Sequence, residues 1–461
     1  MPTGNSHEKK QTSLVWRCLL AGLTVLALIL RCYYAVRTKV YLPFSGDSSQ
    51  YFAYAWNLAH SATFSKDILH TAVISPDSYR DPAYPVFLSA AMKILGTGDA
   101  WYSAILLCQS LFGALTVALT TQLGRSWLSK RWAFSAGLLM AIWPHSISIS
   151  SFLMPETLFG FLLSLALLLF ARACQMGNRM TALASGIIFG ISALTNAVVL
   201  PFGLLLASLL IWRSLAPKKV CLFLALGSLI LPAAWAIRNV TVVPVHSAES
   251  SENRALQNFL QGTWPDFHSA WRQLRLGDAA ARAHATVILS AMQQEQIAFL
   301  ESSSKGASMV LRRFAEHPYR FGVWYLIEKP VELWGWNIQI GQGDIYIKPT
   351  QNSPFQSNRP WVVTEVICHA LNPILMLLTL TSFVALLCRK RWNTVFDSKN
   401  PLDDNILIPA VFLLAFVTFV YSTLQAEPRY AIPFRSFEIL ISMTTVAAAS
   451  SVAGSYRKMS R

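Results

Sequence analysis

The sequence predicts an all-α, polytopic membrane protein of about ten spans, and three observations predict it. Only 13% of the 461 residues are charged while 54% are hydrophobic, against about a quarter charged in an ordinary soluble domain. The apolar residues are gathered into runs of about 20, the length that crosses a hydrocarbon layer about 30 Å thick. The lysines and arginines behind the net charge of +15 fall in short clusters between those runs. That distribution orients membrane segments. It lacks the continuous basic face of a nucleic-acid-binding protein, so no nucleic-acid partner is expected.

The first run, 14–36, is too long for the apolar core of a cleaved leader and is followed by no small-residue cleavage site, so it reads as a retained span. Further spans are expected at 101–123, 132–152, 156–174, 182–197, 198–212, 220–237, 361–388, 406–424 and 431–453, with the chain turning near Asn196 and Pro201. With these ten, the basic clusters at 7–10, Arg125 to Arg131, Arg172 and Arg179, Arg213 to Lys219, 389–391, and Arg457 to Arg461 share one side. That side is cytoplasmic by the positive-inside rule, and both termini lie on it. The apolar stretch 84–95 is too short to cross, and counting it would move Lys130 and Arg131 outside; it is expected to lie along the outer interface. Two long external segments remain. One, 37–100, carries juxtamembrane helices; the other, 239–360, interleaves Trp and Tyr with balanced charge, as in a chain resting on a membrane surface. The seven cysteines are scattered without a CxxC and read as small core residues.

Charged groups in or beside spans are costly unless paired or wet, so they mark function. Asp47, Arg80, Asp81, Glu156, Asn196, Arg238, Asn239, Glu427 and Arg429 all fall at external span ends, where they could converge on one cavity. Each has a plainer reading. Asp47 with Gln50 has the spacing of a capping box. Arg80 and Asp81 could be a surface pair. Glu156, behind Pro155, complements a helix N-terminus. Arg238, Arg429 and Lys329 could snorkel to the interface. Tyr51, Tyr54, Ala55 and Leu58 share one helical face and are expected to anchor it at the membrane boundary. Glu365 and His369, one turn apart, are expected to be a buried hydrogen-bonded pair, because two ligands make no metal site.

The ordered series GDSSQYFAYAWNLA, YRDPAYPVFLSAAMKILG, MPETLFGFLLSLALLLF, SGIIFGISALTNAVVLPFGLLL, LPAAWAIRN and EPRYAIPF resembles the GT-C glycosyltransferases of the family that contains protein O-mannosyltransferases and lipid A aminoarabinose transferases. The resemblance runs over most of 14–437. It implies a single GT-C membrane domain over 1–461 and a polyprenyl-phosphate-linked sugar as donor. It also implies a lipid, glycan or protein acceptor and a site facing the periplasm or exterior of a bacterial inner membrane. In such enzymes an acid in the first external loop is catalytic, and Asp47 occupies that place. The aminoarabinose branch carries an acid beside a lysine where this chain has Arg80 and Asp81. The position of Glu156 is commonly acidic, and Asn196 stands where many relatives have arginine.

A lipid phosphate is already a good leaving group, so the chemistry needs positive charge to hold it and a base for the acceptor's proton. The expected assignment makes Asp47 the catalytic base and Arg80, Arg238 and Arg429 the donor-phosphate ligands. Glu156, Asp81 and Lys329 would orient substrate, and a single displacement would invert the sugar. No cofactor is certain, although Glu156 could help hold a divalent metal. The competing class is a multi-span transporter or lipid-linked sugar flippase, whose polar span ends would line a path. A scaffold of the same fold without the chemistry would differ at Asp47.

Overall fold

A computed structural model of the chain describes residues 4–67, 74–244, 249–388 and 401–459. Helix α1 (Gly4–Arg37) leads through a two-residue strand β1 (Lys39–Val40) into the first long connecting segment, which holds α2 (Asp47–Ser61) and α3 (Ala83–Leu95). Then come α4 (Asp99–Gly124), α5 (Lys130–Ile142), α6 (Pro144–Ser148), α7 (Glu156–Met176), α8 (Arg179–Thr195), α9 (Phe202–Trp212) and α10 (Lys218–Val242). The second long connecting segment folds into α11 (Ser251–Gly262), α12 (Phe267–Leu276), α13 (Ala279–Glu301), α14 (Ser303–Glu316), α15 (Pro318–Val323), α16 (Lys329–Leu333), β2 (Thr350–Gln351) and α17 (Pro354–Ser357). Helices α18 (Arg359–Leu387), α19 (Pro401–Thr423), α20 (Pro428–Ala431) and α21 (Arg435–Met459) follow. The expected basic cluster at 389–391 lies outside the described residues.

Among the described residues seven helices are long and apolar enough to cross a membrane: α1, α4, α7, α10, α18, α19 and the run Pro428–Ser451. The expected span at 132–152 is broken. Its two halves, Lys130–Ile142 and Pro144–Ser151, meet at 58°, because Pro144 has no N–H to continue the helical ladder. The two spans expected at 182–212 are short: α8 has 17 residues, and Ala197–Trp212 falls in the same class. Among the described residues, length and composition therefore mark seven full-length spans, or eight with the bent pair, with α8 and Ala197–Trp212 as shorter apolar helices beside them. The stretch expected to lie along the interface is the 13-residue α3.

Helix α7 is the centre of the bundle, with 78% of its apolar window buried against 22% for peripheral α1. Helices α8 and α10 touch through glycines. A Cβ on Gly186 would lie 2.3 Å from the Leu224 carbonyl oxygen, and one on Gly227 would lie 2.5 Å from that of Leu183. Small residues permit this approach where lipid supplies no hydrophobic drive. The two connecting segments are stitched together by antiparallel pairing of β1 with β2, Lys39 opposite Gln351 and Val40 opposite Thr350. Within the second, Arg313 Nε binds Glu295 at 2.9 Å, its Nη1 donates to the Thr263 carbonyl at 2.7 Å, and the guanidinium lies 4.2 Å from the Trp264 ring centroid. That charge network makes the segment a folded cap.

All seven cysteines are free. Two local expectations are corrected. Tyr51, Tyr54 and Ala55 are buried, at 8%, 0% and 0% exposure. They pack inward because Tyr51 meets Tyr84 edge-on at 5.2 Å and the Tyr54 hydroxyl donates to the buried Asp77 carboxylate. Glu365 and His369 make no hydrogen bond to each other among the described residues; His369 stacks on Trp336 at 5.0 Å.

Candidate active site

Helix α2 begins at Asp47 because Gly46 takes φ 57° and ψ −131°, a turn that a residue with a Cβ strains to adopt. No side chain caps this helix, so the capping-box reading of Asp47 is replaced by another. Its carboxylate is held on both oxygens by arginines from distant parts of the chain. Arg80 Nη2 donates to Oδ1 at 2.6 Å, and Arg429 Nη2 donates to Oδ2 at 2.9 Å. Arg80 Nε donates to Gln50 Oε1 at 2.7 Å, and its guanidinium lies 5.1 Å from the Tyr51 ring centroid. Pro82 caps α3 just after Arg80, which fixes where the arginine leaves the backbone. Burial alone would raise the Asp47 carboxyl, but the two guanidinium groups outweigh it and hold it well below the usual carboxylate range.

Glu156 opens α7 and lies against the same arginine, Oε1 being 3.3 Å from Arg429 Nε. The contact is one of charge: Arg429 Nε lacks hydrogen-bond alignment, and Glu156 Oε2 is buried without a partner among the described residues. Glu427 is spent on the backbone. Its Oε1 accepts from the N–H of Gln339 at 2.6 Å and of Ile340 at 3.2 Å, and its Oε2 accepts from the Arg429 N–H at 2.7 Å. Asp81 takes both oxygens to Arg254 Nη2, each at 2.9 Å. Asn196 Nδ2 donates to the Tyr421 hydroxyl at 3.2 Å.

These residues, Asp47, Arg80, Asp81, Glu156, Asn196, Glu427 and Arg429, line one cavity of about 370 Å³. Two expected members do not. Arg238 is committed to the backbone, with Nη1 on the Asp77 carbonyl at 2.7 Å and Nη2 on that of Phe64 at 3.4 Å, over the Trp235 ring at 4.8 Å. It latches the first connecting segment to the end of α10. Lys329 is wholly buried; Nζ donates to the Leu424 carbonyl at 2.6 Å and sits 4.2 Å from the Tyr325 ring centroid. Burial lowers it to about 7, with Glu332 pulling the other way.

Sequence reasoning missed several residues of the site. Arg254, Gln257, Asn258 and Gln261 line the cavity from α11, and Trp271 from α12. Lys348 buttresses Asp47 from behind. Its Nζ donates to the Pro43 carbonyl at 2.7 Å, the Ser45 carbonyl at 3.0 Å and Ser48 Oγ at 2.7 Å. Burial lowers it to about 8, opposed by the Asp47 charge. The polar ones had no signal, because polar residues in a polar segment are unremarked; Trp271 was legible only as one of the aromatics of the second external segment. Among the described residues no three His, Cys, Asp or Glu side chains come together as a metal site. The cavity's acids lie against arginine or backbone amides and Glu156 Oε2 is shut in the protein, so the donor set does not fit the divalent metal that Glu156 could have helped to hold.

A helical membrane bundle beneath a folded cap is similar in fold to the GT-C glycosyltransferases. More particularly, residues 79–237 match the family model described as dolichyl-phosphate-mannose-protein mannosyltransferase. The chain also superposes on the Archaeoglobus fulgidus oligosaccharyltransferase with a TM-score of 0.51. In the apo form the identity is 16%, over 96% of this chain and 52% of that one. In the form tethered to an acceptor peptide containing the NVT sequon it is 15%, over 96% and 50%. The chain therefore spans about half the length of those enzymes. ArnT from Cupriavidus metallidurans bound to undecaprenyl phosphate covers 95% of this chain and 79% of its own at 15% identity, but at a TM-score of 0.37 the overlap is too loose to argue from. No curated protein matches the chain in sequence.

Proposed function

We propose that the chain transfers a glycosyl group from a polyprenyl-phosphate donor to a hydroxyl of a lipid, glycan or protein acceptor, on the external face of its membrane and with inversion. The observation that carries this reading is the Asp47 carboxylate held between Arg80 and Arg429 in one cavity. Phosphate oxygens compete for the same N–H donors, because arginine binds phosphate and carboxylate with one geometry. As the arginines turn to the donor phosphate, Asp47 loses the contacts that depress its basicity. The freed carboxylate then takes the proton of the acceptor hydroxyl while that oxygen bonds to the anomeric carbon. The bond from carbon to phosphate oxygen breaks, and its electron pair leaves on the lipid phosphate against the two guanidinium groups. Glu156 steadies Arg429 from the far side, and Asp81 holds Arg254.

The external orientation is supported by charge. Glu156, Asn196 and Arg429 occupy the cavity ends of α7, α8 and the last span, while Arg172, Arg179 and Arg213 sit at the opposite ends of α7, α8 and α9. That opposite side is the cytoplasmic one by the positive-inside rule. The reading is tested by release of polyprenyl phosphate from labelled polyprenyl-phosphate sugars in membranes of expressing cells. Asp47→Asn is expected to lower the rate by about 10²- to 10⁴-fold. An unchanged rate would remove Asp47 from the chemistry.

A further inference from the structure

Helix α11 turns one face into the cavity: Arg254, Gln257, Asn258 and Gln261 all line it, at i, i+3, i+4 and i+7, the spacing of one helical side. Arg254 is occupied by Asp81. Gln257 Oε1 accepts from the Tyr79 hydroxyl at 2.9 Å, which leaves its Nε2 unengaged. Asn258 and Gln261 are half-buried and make no side-chain hydrogen bond among the described residues. Next to them Trp271, on α12, lines the same cavity and is 44% exposed. Unpaired amides that both donate and accept, beside an exposed indole face, suit the hydroxyls and C–H faces of a sugar ring.

The face is also rigid. At its start it is tied by the two Arg254 contacts to Asp81. At its end Gly262 lies so close to Leu424 that a Cβ would sit 1.5 Å from the carbonyl oxygen, and the Gly262 carbonyl accepts from Trp324 Nε1 at 3.0 Å. Because Asp81 directly follows Arg80, the dipeptide joins this face to the arginine clamp. The group attached to a phosphate held there is the donor's own sugar.

We propose that the Gln257, Asn258 and Gln261 edge of α11, with Trp271, reads the donor's glycosyl group and selects an uncharged one; this rests on the sugar-transfer reading above. The cavity offers no carboxylate to an amino sugar on this face: Asp81 is held by Arg254, Glu427 by backbone N–H groups, Glu156 Oε2 is shut in the protein, and Asp47, once the phosphate takes its arginines, stands on α2 and faces the acceptor's proton.

The test titrates the full chain in nanodiscs with undecaprenyl phosphate and with its mannosyl, glucosyl, galactosyl and 4-amino-4-deoxyarabinosyl derivatives. The wild type is expected to bind at least one neutral glycosyl lipid about tenfold tighter than the bare lipid phosphate, and the amino sugar lipid no tighter than the bare one. Asn258→Leu with Gln261→Leu should erase that gain while bare-lipid binding, the control for folding, stays within about twofold. Asn258→Asp with Gln261→Glu, nearly isosteric, should shift preference to the amino sugar. A wild type that binds all derivatives alike or favours the amino sugar, or a leucine variant that keeps the gain, overturns the proposal. A wild type that binds no lipid phosphate removes the clamp reading, and this proposal with it.

Discussion

At the scale of single residues, an acid gripped by two arginines is a poor base until something takes the arginines away. In the proposed mechanism Asp47 is therefore a resting partner of the clamp, and donor binding is what makes it basic. Six charged residues of the cavity, Asp47, Arg80, Asp81, Glu156, Glu427 and Arg429, were legible in the sequence because a charge at the edge of an apolar run stands out. The same cue misplaced Arg238 and Lys329. A charge at a span end announces that it must be satisfied, but not whether substrate or backbone satisfies it. Arg238→Met is therefore expected to leave the affinity for undecaprenyl phosphate unchanged while lowering the unfolding temperature, since it removes contacts to Asp77 and Phe64. A fall in affinity would return Arg238 to the clamp. Lys329 titrates at about 7 in the fold, below its usual 10.5, so between those values the unfolded chain binds more protons. Stability must then rise with pH through that window, and the cost of burying the charge is fully present below about 7. Relative to Lys329→Met, the wild type should gain about 1 kcal/mol per pH unit between pH 7.5 and 9. A difference that stays flat would contradict the assignment.

Among the elements, the long apolar runs were readable because hydrocarbon thickness sets a length that composition alone reveals. The bend at Pro144 was not read, although its cause is a single residue without an N–H. The two short helices of 182–212 were expected as crossings, but not what holds α8: glycine contacts with α10 that hydropathy does not record. Gly186→Leu would drive a side chain into the Leu224 carbonyl, 2.3 Å from even a Cβ. It is expected to cost about 3 kcal/mol or more and to lower the yield of folded protein in detergent. A variant as stable as the wild type would mean that the two helices separate without loss. The face of α11 was hidden for a different reason. Its polar residues at helical spacing look like an ordinary solvated side, and only the fold shows that they meet a cavity.

Across the whole molecule, two segments far apart in sequence are closed over the bundle by β1 with β2, by Arg254 with Asp81 and by Lys348 with the turn before Asp47. Pairings between distant segments leave no local pattern, so the cap could be recognised from the sequence only as amphipathic chain. The proposed orientation can be checked with single cysteines in a background without the native ones. A cysteine at Asn258 should react with an impermeant maleimide in intact cells, and one at Arg213 only after permeabilisation. The reverse pattern would invert the topology. The most direct measurement concerns the clamp itself: the affinity of undecaprenyl phosphate for the wild type, Asp47→Asn, and Arg80→Met with Arg429→Met. If phosphate and Asp47 compete for the same guanidinium groups, Asp47→Asn binds the lipid at least as tightly as the wild type although it transfers no sugar, and the double arginine variant loses binding by about tenfold or more. Lipid binding that is lost in Asp47→Asn, or retained without the two arginines, would contradict it.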